Sequence, residues 1–201
     1  ISETGRITEG CAGIYNAEQL NQWKKITNFI HNNTETKIGI QLGHSGRKGA
    51  TKKPWEGNGP METPWGLISA SPIPFNENFA TPKEMTLEDM EEIKAQFVQA
   101  TKNADEAGFD MIELQAHHGF LLASFLSPLT NIRTDEFGGS IDNRLKYPLE
   151  VFKAIRDVFP TEKPISVRIS ATDWAENGIS EHEVTTIATA FKAAGADIIN
   201  V

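Results

Sequence analysis

The chain has 201 residues, 39% of them hydrophobic and 23% charged, and a formal net charge of −8. This composition is ordinary for a globular protein and long enough to bury one sizeable core. The acidic balance, with no basic run or stripe, argues against nucleic acid and anionic membranes as partners. The single Cys11 cannot form an internal disulfide, which suits a reducing cytoplasm.

No apolar run approaches the ~20 residues of a membrane span, and no secretory leader pattern is present. Ile1 is not a Met, and Asp197 to Val201 reads as an unfinished strand, so a piece of a longer chain is expected.

Residues 1–15 read as loop, punctuated by Gly5, Gly10 and Gly13. Asn16, with Gln19 three residues on, predicts a capped helix from about Ala17 to His31, carried by Leu20, Trp23 and Ile30. Lys37 to Leu42 is a short strand, broken by His44-Ser45-Gly46-Arg47-Lys48-Gly49. A long proline-rich segment runs from there to about Met85. Its apolar pieces Leu67-Ile68 and Ile73-Pro74-Phe75 predict a packed functional loop rather than a disordered insertion.

Thr86 with Asp89 starts the most regular helix, in which Leu87, Met90, Ile93, Phe97, Ala100, Ala104 and Ala107 recur by threes and fours; Gly108 stops it. Phe109 to Ala116 is the second strand. A loop over 117–142 and a helix from about Arg144 to Phe159 follow. Pro164 to Ser170 is the third strand. Ser180 with Glu183 caps a further helix, and Asp197 to Val201 begins a fourth strand.

Strands separated by helices predict an α/β fold with a parallel sheet and right-handed crossovers. A doubly wound sheet and a (β/α)8 TIM barrel both fit. No GxGxxG follows any strand, which weakens the first, and four strands make about half of the second.

The polar residues cluster at the carboxyl ends of the strands: Gln41 and His44, Gln115 and His118, Arg168, and Asn200. A barrel rim collects such residues over one point. A glutamine amide suits the C=O and N–H edge of a flavin ring, and an arginine would stabilise an anionic reduced ring. Gln115 and His118 can both donate to one oxygen and polarise a carbonyl. Singly, a Gln or Arg in a strand is more often a satisfied structural side chain; the conjunction at several strand ends shifts that balance towards a site. A metal centre built from His44, His117 and His118 with Asp110 or Glu113 lacks any HxH, HExxH or CxxC spacing, so no metal is expected.

Gln41-Leu42-Gly43-His44-Ser45-Gly46-Arg47 resembles the QLxHxGR signature of the Old Yellow Enzyme family of FMN-dependent NAD(P)H:flavin oxidoreductases. Gly119 to Pro128, Arg133 to Ser140, and Asn143-Arg144 are similar to the family's longest motif. Leu121 to Phe125 and Ile169 to Trp174 resemble the reductase half of salicylyl-CoA and 2-aminobenzoyl-CoA hydroxylase-type proteins.

The resemblance implies one FMN-binding barrel domain, of which residues 1–201 supply about strands three to six. It implies that Gln41 binds the flavin pyrimidine edge, that Arg168 sits by N1 and the C2 oxygen, and that Gln115 and His118 hold an acceptor oxygen. It implies hydride transfer from NADH or NADPH through FMN to an unsaturated carbonyl or aryl-CoA acceptor. The phosphate-binding loops would lie outside these residues, so weak or absent FMN binding by this piece alone is the expectation. A cytoplasmic enzyme with a small-molecule substrate, and a homo-oligomer at full length, complete the reading.

Two positions depart from the family. Gln115 replaces a usual His, and Phe120 replaces the Tyr that protonates the alkene carbon. Gln115 still donates a hydrogen bond, but Phe120 cannot give a proton. Loss of a general acid costs about 10²–10⁴-fold in rate. The alternative reading is a non-catalytic barrel segment kept for packing or interaction.

Overall fold

A computed structural model describes residues 1–57 and 59–201. Four parallel strands form the main sheet: β1 (Gly39–Leu42), β4 (Met111–Ala116), β5 (Ile165–Ile169) and β6 (Ile198–Asn200). They lie side by side in chain order, β1-β4-β5-β6. A doubly wound sheet reverses its order at a switch point; this one does not.

The cover of the sheet is equally one-sided. In β4, Ile112, Leu114 and Ala116 are buried, whereas the alternating Met111, Glu113 and Gln115 are not. Strand side chains alternate between faces, so one face carries the apolar core and the other a polar row. The sheet is therefore an arc of barrel wall, with helices outside and polar groups inside.

The helices are α1 (Ala17–Asn33), α2 (Leu87–Glu106), α3 (Leu121–Leu126), α4 (Ile141–Arg156) and α5 (Glu181–Ala193). Three begin where the sequence placed a cap. Asn16 Oδ1 accepts from Gln19 N at 2.9 Å, and Thr86–Asp89 and Ser180–Glu183 are complete capping boxes. Such caps satisfy backbone donors that helices leave open, each for about 1 kcal/mol. Phe97, Tyr147, Phe152 and Phe191 are fully buried between these helices and the sheet. Asp110 fastens the amino end of β4 by accepting from Ile38 N and pairing with His31 Nε2 at 2.8 Å. Among the described residues no helix is long and apolar enough to cross a membrane.

Two expectations need correction, and a third, the packed proline-rich segment, holds with detail added. The 117–142 stretch is not all loop, because α3 occupies Leu121–Leu126. Each of those six side chains is buried, so the run has no polar face and no helical period to read. Helix α4 starts at Ile141 rather than near Arg144 and ends at Arg156, since Ser140 Oγ caps it from Asn143 N at 3.3 Å. The proline-rich segment is packed, and it contributes a small parallel pair, β2 (Ile68–Ser69) and β3 (Lys83–Glu84). Leu67 is buried there, but Phe75 is 42% exposed and faces the strand ends instead of the core.

Arg133 holds this segment down. Its Nη1 donates to Ala70 O at 3.1 Å and to Met85 O at 2.8 Å. Arg144 likewise ties Leu126 O and Glu183 together from beneath α3. Arg133 and Arg144 are thus scaffold, positioning the loops that frame the strand ends.

Candidate active site

The polar inner face is wired through one carboxylate. Glu113 on β4 accepts from Gln41 Nε2 on β1 at 2.7 Å, from Ser166 Oγ on β5 at 2.9 Å and from Asn200 Nδ2 on β6 at 2.9 Å. The parallel register makes this possible, since Gln41, Glu113 and Ser166 are direct partners across the sheet. Burial pushes the Glu113 carboxyl up. The donors from Asn200, Gln41 and Ser166, with the Arg168 charge, outweigh it and hold the group below the ordinary carboxylate range. Glu113 is therefore ionised at neutral pH.

One pleat further along lies the upper row. Gln115 Nε2 donates to Gln41 Oε1 at 3.1 Å. Gly43 leaves room for this pairing, because a Cβ there would fall 2.3 Å from Gln115 Oε1. Arg168 pairs in register with Gln115 on one side and Asn200 on the other. Gln41, Gln115, Arg168 and Asn200 thus share one face at the carboxyl ends of four strands.

His117 and His118 end β4 in different ways. His117 is 4% exposed, with Nε2 3.5 Å from Gln41 Nε2 and Nδ1 without a partner among the described residues. Burial first, then the His118 and Arg168 charges, lowers its pKa to about 4, so the ring is neutral at neutral pH. His118 is exposed and has a left-handed backbone, φ 53°. Its N–H donates to Ser170 Oγ at 2.9 Å, and its carbonyl accepts from Lys48 Nζ at 2.8 Å. The two rings meet edge to face at 4.3 Å.

Two cavities open at this rim. One of about 430 Å³ is bordered by His118, Arg168, Arg47, Phe75 and Asp173. The other, of about 290 Å³, is bordered by Gln41, Gln115, Gly43 and Cys11. The sequence-expected residues therefore converge as two pairs, Gln41 with Gln115 and Arg168 with His118, on adjoining cavities. Among the described residues no three of His, Cys, Asp and Glu gather as a metal would require. His44 uses its Nδ1 to accept from Gly46 N at 3.0 Å, and Asp110 lies at the far end of β4.

Sequence reasoning gave no role to Lys48 or Phe75 and weighed Glu113 only as a metal ligand. Glu113 was visible two residues before Gln115, on the same face of the strand. Lys48 and Phe75 gave no local signal, because they reach the site only through the folding of distant loops.

A polar row of amides and one guanidinium at the carboxyl ends of parallel strands, with the core on the outer face, is the architecture of a (β/α)8-barrel enzyme. The chain belongs to the NADH:flavin oxidoreductase / NADH oxidase family, whose sequence profile matches residues 1–201. An NADPH dehydrogenase of Listeria monocytogenes serotype 4a is 39% identical over 201 residues, 100% of this chain and 55% of the relative. An NADH:flavin oxidoreductase of Gibberella zeae is 43% identical over 183 residues, 88% of this chain and 44% of the relative. The chain spans about half the length of the curated relatives it matches. A 2-naphthoyl-CoA reductase in complex with 2-naphthoyl-CoA superposes with a TM-score of 0.83 at 28% identity, covering 98% of this chain and 31% of the other. Old Yellow Enzyme from a Pichia species gives a TM-score of 0.66 at 33% identity, covering 78% of this chain and 41% of the other.

The family is one of FMN enzymes that draw on NADH or NADPH, and the inner face fits that cofactor. It offers amide donors and acceptors for a ring edge, one cation for a ring that gains negative charge, and a buried His117 Nδ1 still lacking a partner.

Glu113→Gln tests the wiring. Gln has one acceptor oxygen where Glu113 has two, so at least one of the donors from Gln41, Ser166 and Asn200 meets an N–H instead. Discounted for the partial exposure of the group, the expected cost is about 1–2 kcal/mol in urea unfolding at neutral pH. An unchanged unfolding midpoint would show that the network is not holding the strands together.

Proposed function

We propose that the full-length protein is an FMN-dependent NAD(P)H oxidoreductase that reduces an unsaturated carbonyl compound or an aryl-CoA-type acceptor. The observation that supports it most is the Gln41–Gln115–Arg168 row, set by the Glu113 network at the ends of adjacent strands. FMN, when bound, carries a hydride from NAD(P)H to the acceptor.

Gln41 and Arg168 are assigned to the flavin edge. The Gln41 amide is oriented, since Glu113 takes its N–H and Gln115 supplies a donor to its oxygen. Arg168 brings the fixed charge. Gln115 and His118, which border the two cavities at the end of β4, are assigned to the acceptor oxygen, so the acceptor would have to reach across both. Gln115 keeps a second N–H beyond its bond to Gln41, and the His118 ring is exposed at the larger cavity. Phe75 borders the same cavity as His118, and the His117 ring packs edge to face on His118.

The test is an absorption spectrum of the full-length protein before and after NADH or NADPH. A yellow protein that bleaches supports the reading. A colourless protein that ignores added FMN overturns it and favours a non-catalytic barrel, for which the missing hydroxyl at Phe120 is the supporting observation.

A further inference from the structure

The proposed reaction leaves a chemical gap. Reducing a conjugated C=C needs a proton as well as a hydride, and Phe120 has no acidic hydrogen to give. The groups around Phe120 show what stands in its place.

Lys48 ends the short 3-10 turn Gly46–Lys48 that follows β1. Its Nζ lies over the Phe120 ring at 5.0 Å from the centroid and over the Phe75 ring at 4.6 Å. It donates to the His118 carbonyl at 2.8 Å. That carbonyl is aimed by the left-handed backbone of His118, a conformation few non-glycine residues adopt, and one that collects at functional positions. The lysine stem passes Gly119, where a Cβ would come within 3.8 Å of Lys48 Cδ. An ammonium group is thus clamped beside the ring that lacks a hydroxyl, next to the proposed acceptor-binding His118.

We propose that Lys48 is the general acid that protonates the acceptor carbon in place of the hydroxyl absent from Phe120. This assignment rests on the flavin-oxidoreductase reading above. The acceptor takes the hydride at the carbon β to its carbonyl. The Nζ–H bond of Lys48 breaks as the C–H bond forms at the α carbon, and the C=C π bond is consumed. Lys48 is left as a neutral amine and regains its proton from water. Both electrons come from NAD(P)H, and the sum is NAD(P)H, one proton and an alkene giving NAD(P)⁺ and the saturated product.

The surroundings suit a lysine that must let a proton go. Burial first, and then the Arg47 charge, lowers the Lys48 pKa from its ordinary value. The groups facing it are Arg47 from its own turn, His117 and His118 from the β4 loop, and the uncharged Phe75 and Phe120; Asp173, from the β5 loop, acts on Arg47. The two aromatic faces favour the cation and keep it charged until it is called upon.

The experiment uses full-length holoenzyme with 2-cyclohexenone as the alkene. Lys48→Met is expected to lose about 10²–10⁴-fold in alkene reduction. Lys48→Arg keeps the charge, the stacking and a donor to the His118 carbonyl, but a guanidinium does not release a proton; it is expected to lose as much. Phe120→Tyr in the Lys48→Met background is expected to recover tenfold or more. Competitive acetylation with acetic anhydride, read by peptide mass spectrometry, is expected to show Lys48 titrating below the ordinary lysine value. An active Lys48→Arg, or a Lys48 that titrates at the ordinary lysine value, overturns the assignment while a yellow, NAD(P)H-bleached wild type leaves the flavin reading standing. A colourless wild type removes both.

Discussion

Replacing Arg168 by Ala in the full-length protein is expected to weaken FMN binding about 30- to 150-fold, the equivalent of 2–3 kcal/mol for a hydrogen bond to a charged group. The inner face explains the size of the effect. Its upper row carries Arg168 beside the neutral amides of Gln115 and Asn200, and the row below carries the ionised Glu113. Removing the guanidinium leaves the Glu113 carboxylate uncompensated on this face, which would disfavour a ring that becomes more negative on reduction. Binding and reduction are both opposed. Arg168→Lys is expected to fall between the two, since it keeps the charge and loses the planar fork. Gln41→Ala removes a neutral partner and is expected to cost less, about 5- to 10-fold. Fluorescence titration of the apoprotein with FMN measures all three. Unchanged affinity in both Arg168→Ala and Gln41→Ala would sink the assignment of this face to the flavin.

How much of this could be read from the chain depends on range. The caps at Asn16, Thr86 and Ser180 are local devices and were legible residue by residue. So were the strand ends, because an apolar run that stops at Gln41 or Gln115 announces both a buried strand and a polar terminus. The choice of barrel over doubly wound sheet was not local. It needed the spatial order of the strands and the one-sided burial of β4. Helix α3 was invisible for the opposite reason, since it is buried all round. The Glu113 network depends on register between β1, β4, β5 and β6, which alternation within one strand does not give. Lys48 meets the His118 carbonyl across 70 positions of sequence, and the split of Gln115 and His118 onto adjoining cavities follows from the turned backbone at His118.

Acid is expected to destabilise the fold well above the range in which carboxylates titrate. His44 is 2% exposed, and its Nδ1 accepts from Gly46 N, so the ring cannot take a proton without giving up that bond. Burial, the largest cause, lowers its pKa from 6.5 to about 3. His117 falls from 6.5 to about 4, chiefly by burial. Both folded values lie below the unfolded one. Between pH 6.5 and about 4 the unfolded chain therefore binds more protons, and stability is lost as pH falls through that window. Near pH 5 two such groups give a slope of roughly 2–3 kcal/mol per pH unit, against a total stability on the order of 5–15 kcal/mol. Glu113, Asp110 and Asp135, whose folded pKa values are lowered, add their losses only below about pH 4. The His44 turn is where the cost is structural. Gly46, at φ 58°, presses against Leu121, and the His44 carbonyl accepts from Leu121 N at 3.0 Å, so opening this turn releases the start of α3 beside the site. His44→Gln keeps an acceptor for Gly46 N and removes the titration. Urea unfolding at pH 7, 5.5 and 4.5 is expected to show its slope with pH cut by about half relative to the wild type. An unaltered slope would place the acid sensitivity elsewhere.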